Sequence, residues 1–137
     1  MKRPRRSSRA ASAGTPRYGY VSLGGQLSRK DFTKGDGVLG DGGTVRQPSV
    51  ISLVEIAIKQ ARGKLTFDKE AIVRGVEDLQ LQTLPYTTKH AYGLFDLPFH
   101  HADPFDRQII AQALAEDVPV VTSDRAFRLY QNLKILW

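Results

Sequence analysis

Four acidic residues in the later part of the chain have the type and setting needed for metal chemistry. Glu55 lies in the very apolar stretch SVISLVEIAIKQARG, and Asp124 directly follows the apolar run VPVVTS. Asp103 and Asp106 stand three positions apart in ADPFDRQIIAQA. Clustered carboxylate oxygens are the ligands that Mg²⁺ and Mn²⁺ prefer, and such an ion can activate water towards a phosphodiester. If the fold brings these acids together, they predict a divalent metal site.

Three of these acids also have a purely structural interpretation. Glu55 follows Ser52 by three positions, which is the S-x-x-E spacing of a capping box. An acid among so many apolar residues should, however, be paired, neutral or bound to a cation. Asp103 directly precedes Pro104, and this order predicts a helix N-cap followed by the first helical residue. Asp124 also fits a turn or a helix cap.

Asp106 is the acid whose position most favours a functional role. The pattern of the helix after Asp103 predicts a buried face made by Ile109, Ile110, Ala113 and Leu114. Asp106 heads the row of that face that continues into Ile110 and Leu114, because residues four apart lie above one another on a helix. We therefore expect its carboxylate at the edge of the core. Arg107 beside it is expected to contact a phosphate or to pair with a neighbouring acid.

Helices and short apolar strands that would position these acids alternate from Ser49 onward. Helices are predicted from Ser49 to Gly63, from Asp68, from Thr87 or Thr88 to Phe95, from Asp103, and in RAFRLYQ; strands are predicted in LQTLP, VPVVTSD and LKILW. This order predicts an α/β domain with a mainly parallel sheet and right-handed crossovers. Ligands of such sheets bind at the carboxyl ends of the strands, which is where Asp124 lies.

Charge and glycine content divide the chain into two segments. Residues 1–48 hold 10 Lys and Arg against 3 Asp, whereas residues 49–137 hold 10 Lys and Arg against 11 Asp and Glu. The first segment also has 9 of the 12 glycines, so we expect it to be mostly disordered. A basic arm that contacts nucleic acid and a transit peptide are the alternatives. The chain has no cysteine and no run of about 18 apolar residues, and we expect a soluble, cytoplasmic protein.

Other kinds of site find little support. The adjacent His100 and His101 lack the spacing of familiar zinc sites, with His90 as the only other histidine, and solvation in a loop is their expected role. The glycine-rich stretch GDGVLGDGG has no P-loop signature.

Three long stretches closely resemble PIN-domain proteins, in particular VapC-type toxins of bacterial type II toxin–antitoxin systems. They are SLVEIAIKQARGKL, LPYTTKHAYGLFDLPFHHADPFDRQIIAQALAED and VPVVTSDRAFRLYQNLKILW, and they make residues 49–137 a partial PIN domain. The resemblance implies a three-layer α/β/α fold and an endoribonuclease that uses Mg²⁺, or alternatively Mn²⁺, to cleave RNA. It implies that Glu55, Asp106 and Asp124 are the catalytic and metal-binding residues. It also implies an antitoxin from an adjacent gene as partner, and a homodimer.

One departure from the family concerns the start of the chain. The resemblance implies an apolar strand ending in a metal-binding Asp before Glu55. Residues 1–48 show neither, because Asp31, Asp36 and Asp41 follow SRK, TKG and VLG. We hypothesise that this segment is an out-of-frame translation that joins the proper frame near Ser49. The alternative function is that of an inactive PIN remnant that binds an antitoxin or nucleic acid.

Overall fold

The computed structural model describes residues 17–21, 44–66 and 68–136 of the chain. Within them the elements are β1 (Arg17–Val21), β2 (Thr44–Pro48), α1 (Val50–Ala61), α2 (Lys69–Asp78), α3 (Thr88–Asp96), α4 (Pro104–Glu116), β3 (Val120–Val121), a 3₁₀ helix (Arg125–Leu129) and β4 (Ile135–Leu136). The predicted alternation of helices and strands from residue 49 onward is therefore confirmed, with the last predicted helix formed as a 3₁₀ helix.

The four strands form one sheet in the order β2-β1-β3-β4, and each neighbouring pair is parallel. Tyr20 and Val21 of β1 pair with Val120 and Val121 of β3. Because all strands run in the same direction, their carboxyl ends meet at one edge of the sheet. The predicted α/β class with a parallel sheet is confirmed.

The structure places β1 in the interior of the sheet, although the sequence of residues 1–48 showed no apolar strand. The stretch RYGYV holds two Tyr and one Val, which favour extended backbone, although Gly19 interrupts any apolar run. No acid ends this strand in the sequence, since the first acid after Val21 is Asp31. Residues 1–16 and 22–43 lie outside the described residues. Disorder, a basic arm, a transit peptide and an out-of-frame origin therefore stay predictions.

The strand predicted in LQTLP is reduced to a single parallel bridge between Leu84 and Ser49. Leu84 donates its N–H to the Pro48 carbonyl at 2.8 Å and accepts from the N–H of Val50 at 3.0 Å. Pro85 follows directly and has no N–H, so it cannot donate to a ladder beyond this point.

Caps and turns predicted from the sequence fix the ends of the helices. Asp68 accepts a hydrogen bond from the N–H of Ala71 at 2.7 Å and so begins α2. Gly63 follows the end of α1 with φ of +69°, a left-handed conformation that glycine adopts without strain. Thr87 is the residue before α3, as predicted.

The core forms where α4 packs between the sheet and the neighbouring helices. Its buried members include Ile109 and Ile110 of α4, Val120 of β3, and Phe127 of the 3₁₀ helix. The predicted apolar face of α4 is thus confirmed, with Leu114 only partly buried against the core. No helix in the described part of the chain is long and apolar enough to cross a membrane.

Candidate active site

Glu55 lies in the second turn of α1 and is one of the most deeply buried residues, with 2% of its side chain exposed. The capping-box interpretation is wrong, because the N-cap is Ser49, whose Oγ accepts from the N–H of Ile51 at 3.1 Å. Glu55 is instead paired with Lys59, one turn later on the same helix, with 2.5 Å between Oε1 and Nζ. Of the three states expected for so buried an acid, namely paired, neutral or bound to a cation, the structure shows the paired one.

Asp103 and Asp106 have separate roles at the start of α4. Asp103 is the N-cap, and its Oδ1 accepts from the N–H groups of Phe105 at 2.9 Å and Asp106 at 3.0 Å. Pro104 is the first helical residue, as its fixed φ favours. Asp106 lies in the first turn with 11% of its side chain exposed, at the head of the buried face. One acid begins the helix, and the other is free for the site.

Asp124 follows β3 at the carboxyl edge of the sheet. Its Oδ1 caps the 3₁₀ helix by accepting from the N–H of Ala126 at 2.9 Å. Its own N–H donates to the Thr122 hydroxyl at 3.1 Å, which fixes the turn between strand and helix. The structural role considered for Asp124 is therefore present. A carboxylate has two oxygens, however, and one cap leaves acceptor capacity for a ligand.

The pKa of Asp106 is affected by acids from other parts of the fold. Its pKa is raised to about 7, and burial is the largest cause. The carboxylates of Asp103, Glu55 and Asp124, in that order, raise the pKa of Asp106 further, because a second negative charge nearby disfavours ionisation. The Lys59 ammonium group has the opposite effect. We call Glu55, Asp103, Asp106 and Asp124 the acid cluster.

The donor set of the acid cluster suits a hard divalent cation in kind, since all its side-chain ligands are carboxylate oxygens. One of them, Oε2 of Glu55, is buried with no hydrogen-bond partner in the described structure. A bound cation would satisfy that oxygen and offset the repulsion that raises the pKa of Asp106. Within residues 17–21, 44–66 and 68–136, no group of three or more His, Asp or Glu is arranged to hold a metal ion.

His101 is a site residue that the sequence-based reasoning placed in a solvated loop. Its Nε2 lies 3.6 Å from Oδ2 of Asp106 and is buried without a hydrogen-bond partner in the described structure. Its Nδ1 lies 2.8 Å from the hydroxyl oxygen of Tyr130. The H-x-x-x-x-D spacing between His101 and Asp106 gave no signal of this contact, which depends on how the loop before α4 folds back.

Arg107 contacts the same loop. Its guanidinium group donates to the carbonyls of Pro98 at 2.9 Å and Leu97 at 3.3 Å, and lies 4.6 Å from the ring centroid of Phe99. It also donates to the Tyr130 hydroxyl at 3.4 Å. Among the described residues Arg107 forms no ion pair with an acid, and its contact with phosphate stays a prediction. Arg107 ties the preceding loop to α4.

His90 lies away from the acid cluster and joins α3 to α4. Its Nδ1 accepts from the N–H of Thr87 at 2.9 Å, so its Nε2 carries the proton that is donated to Glu116 at 2.6 Å. The ring is almost completely buried. This histidine joins the start of α3 to the end of α4.

Comparisons with known proteins agree with this fold. Residues 48–133 match the family described as PIN domain. VapBC2 from Rickettsia felis bound to a promoter DNA fragment has a TM-score of 0.60 at 15% identity, with 86% of this chain and 96% of that chain covered. DNA-bound VapBC from Salmonella typhimurium has a TM-score of 0.61 at 16% identity, with 88% of this chain and 97% of that chain covered. FitAcB from Neisseria gonorrhoeae has a TM-score of 0.57 at 12% identity, with 87% of this chain and 96% of that chain covered. A search of curated protein sequences gives no match.

Proposed function

Because the chain belongs to the PIN domain family, we propose that it is a metal-dependent endoribonuclease of the VapC toxin type. The observation that carries the proposal is the buried Asp106, whose pKa is raised to about 7 by burial and then by the nearby carboxylates of Asp103, Glu55 and Asp124. Perturbed carboxylates in a cluster of this kind are typical of active sites. The structural likeness to VapBC complexes supports the same class by analogy of fold.

Each acid has a distinct place in the proposed site. Asp106 and Asp124 would hold the divalent cation, Mg²⁺ or Mn²⁺, and Glu55 would bind it or orient the attacking water. The ion, when bound, would activate water and stabilise the negative charge that develops on the phosphodiester. Asp103 would remain a cap, which fixes the backbone of Asp106 and adds negative charge beside it.

A partner and an assembly state complete the proposal. The VapBC structures of similar fold are toxin–antitoxin assemblies bound to DNA. We therefore infer an antitoxin from an adjacent gene as partner, a homodimer as the toxin's own assembly, and the cytoplasm as the place where RNA is cleaved. Coexpression with the adjacent gene product and light scattering of the purified chain test the partner and the dimer.

Cleavage of RNA by the full chain is the test of the proposed chemistry. We expect cleavage in Mg²⁺ or Mn²⁺ and none in EDTA. Asp106→Asn should lose at least about 100-fold in activity, since a residue that binds the ion directly matters more than one that only contacts such a residue. Asp96→Asn, an exposed residue at the end of α3, is the matched control and should cleave like the wild type. Equal activity of the wild type and Asp106→Asn would reject the catalytic role.

A second candidate is a protein that keeps the partner-binding role without catalysis. It is favoured by one observation, that the sequence after β1 has no acid before Asp31 to complete the cluster. No cleavage of RNA under any metal condition, with retained binding of the antitoxin, would favour this function.

A further inference from the structure

Lys59 places a positive charge inside the acid cluster. Its Nζ contacts Glu55 Oε1 at 2.5 Å, and 34% of the Lys59 side chain is exposed against 2% for Glu55. Exposed i,i+4 pairs contribute little to stability because water screens both charges. Here the carboxylate is buried, so removal of the lysine would leave an unpaired charge in a poorly solvated place.

The pair satisfies only half of the Glu55 carboxylate. Oε2 is buried and has no hydrogen-bond partner in the described structure, and the same is true of the hydroxyl of Ser52, which precedes Glu55 by one turn. Residues three apart lie on the same face of a helix. This face of α1 therefore presents two unsatisfied polar groups beside a single ammonium group.

The charge of Lys59 lies directly beside one member of the acid cluster. It pairs with Oε1 of Glu55, the carboxylate whose other oxygen has no hydrogen-bond partner in the described structure. A divalent cation bound by the same oxygens would be repelled by that ammonium group at a distance of a few ångströms. Either the ammonium group moves away through its exposed side, or the cation binds less tightly.

We propose that Lys59 is an internal counter-ion that competes with the divalent metal ion for Glu55. In the metal-free protein it neutralises Glu55 and stabilises the fold, and it lowers the metal affinity of the site. This inference rests on the proposed function only in that Glu55 belongs to the metal site. Lys59 is a positioning residue, since it acts through Glu55.

Metal binding by full-length variants tests this inference. Lys59→Gln keeps a hydrogen-bond donor but removes the charge, and we expect its dissociation constant for Mn²⁺, measured by isothermal titration calorimetry, to fall by about tenfold. In EDTA its melting temperature should lie below that of the wild type, and saturating Mn²⁺ should narrow the difference. A merely structural salt bridge would lower the melting temperature equally with and without metal.

Two further variants serve as controls. Lys59→Arg keeps the charge and should bind Mn²⁺ like the wild type, and Lys69→Gln removes an exposed charge at the start of α2 and should have no effect. If Lys59→Gln is too unstable for calorimetry, Lys59→Met takes its place. The Mn²⁺ concentration at which the melting temperature rises then compares the metal affinity of this variant with that of the wild type. If the uncharged variants bind Mn²⁺ only as tightly as the wild type, or more weakly, this inference is overturned while the proposed function stands. Absence of Mn²⁺ binding in every protein would overturn it together with the metal dependence of the proposed function.

Discussion

The imidazole of His101 faces the carboxylate of Asp106, with Nε2 lying 3.6 Å from Oδ2. The other ring nitrogen of His101 lies 2.8 Å from the Tyr130 hydroxyl, and that hydroxyl accepts from Arg107. Since Arg107 can only donate, the Tyr130 proton is available to Nδ1 of His101, and Nε2 then carries the proton that faces Asp106. Arg107, Tyr130 and His101 thus form a chain of contacts that ends beside one acid of the cluster.

Loss of this contact should weaken the site without unfolding the chain. We expect His101→Ala to lower metal affinity and kcat/KM by roughly tenfold, which is the usual cost of removing an outer partner of a metal ligand. His100→Ala is the matched control, because that ring is exposed and packs edge-on against Tyr130 at 4.8 Å between centroids. Mn²⁺ titration and RNA cleavage by both variants provide the measurement, and equal effects at the two positions would contradict the assigned contact.

The raised pKa of Asp106 predicts how the stability of the metal-free protein depends on pH. Asp106 has a pKa of about 7 in the fold against an ordinary value of 3.8, so the folded state holds a proton that the unfolded chain releases between these values. The contribution of Asp106 to stability is therefore present at low pH and lost as the pH rises from about 4 to about 7.

Asp106→Asn removes this dependence, because an amide does not ionise. In EDTA at pH 8 we expect the variant to be more stable than the wild type by about 1–3 kcal/mol, and the difference should shrink towards pH 5. Urea denaturation at both pH values measures it. Asp96→Asn should show no such change with pH, and a constant difference for Asp106→Asn would contradict the assignment.

The cap made by Asp103 predicts a purely structural cost. Asp103→Ala loses two hydrogen bonds to the first turn of α4 and should lower the free energy of unfolding by about 1 kcal/mol. Asp103→Asn keeps an acceptor oxygen and should retain most of that stability. Denaturation of both variants distinguishes capping from charge, and equal losses would mean that the carboxylate charge matters more than the cap.

Asp124 allows its two roles to be separated. Asp124→Asn keeps an oxygen that can accept from Ala126 but loses the charge, so we expect near wild-type stability and a loss of at least about tenfold in RNA cleavage. Asp124→Ala should lose both. If Asp124→Asn cleaves RNA like the wild type, Asp124 is a cap and not part of the site.

Local patterns predicted the parts of the molecule that depend on local interactions. Asp103 before Pro104 begins α4, Gly63 ends α1, and the burial of Asp106 follows from its place on the face of Ile110. The Glu55–Lys59 pair has the i,i+4 spacing of a helical ion pair and was open to prediction, but the capping-box interpretation of Ser52 and Glu55 competed with it.

Contacts between distant residues account for what sequence could not supply. His101 enters the site through a contact with Tyr130, which lies 29 positions later. The place of β1 in the sheet depends on backbone pairing with β2 and β3, which any residue type except proline can make, so RYGYV carries little sign of it. The bridge at Leu84 likewise depends on the end of β2.

The helix α2 differs from its neighbours in that none of its residues is buried. A helix of 10 residues is marginal in water without tertiary packing, so little free energy separates its native form from a locally open one. Its amide hydrogens should therefore exchange with solvent long before those of α4, whose inner face lies in the core. Within residues 49–136, proteases that need an extended backbone should likewise cut first between Lys69 and Asp78, leaving Glu55 on α1 and Asp106 on α4 in place.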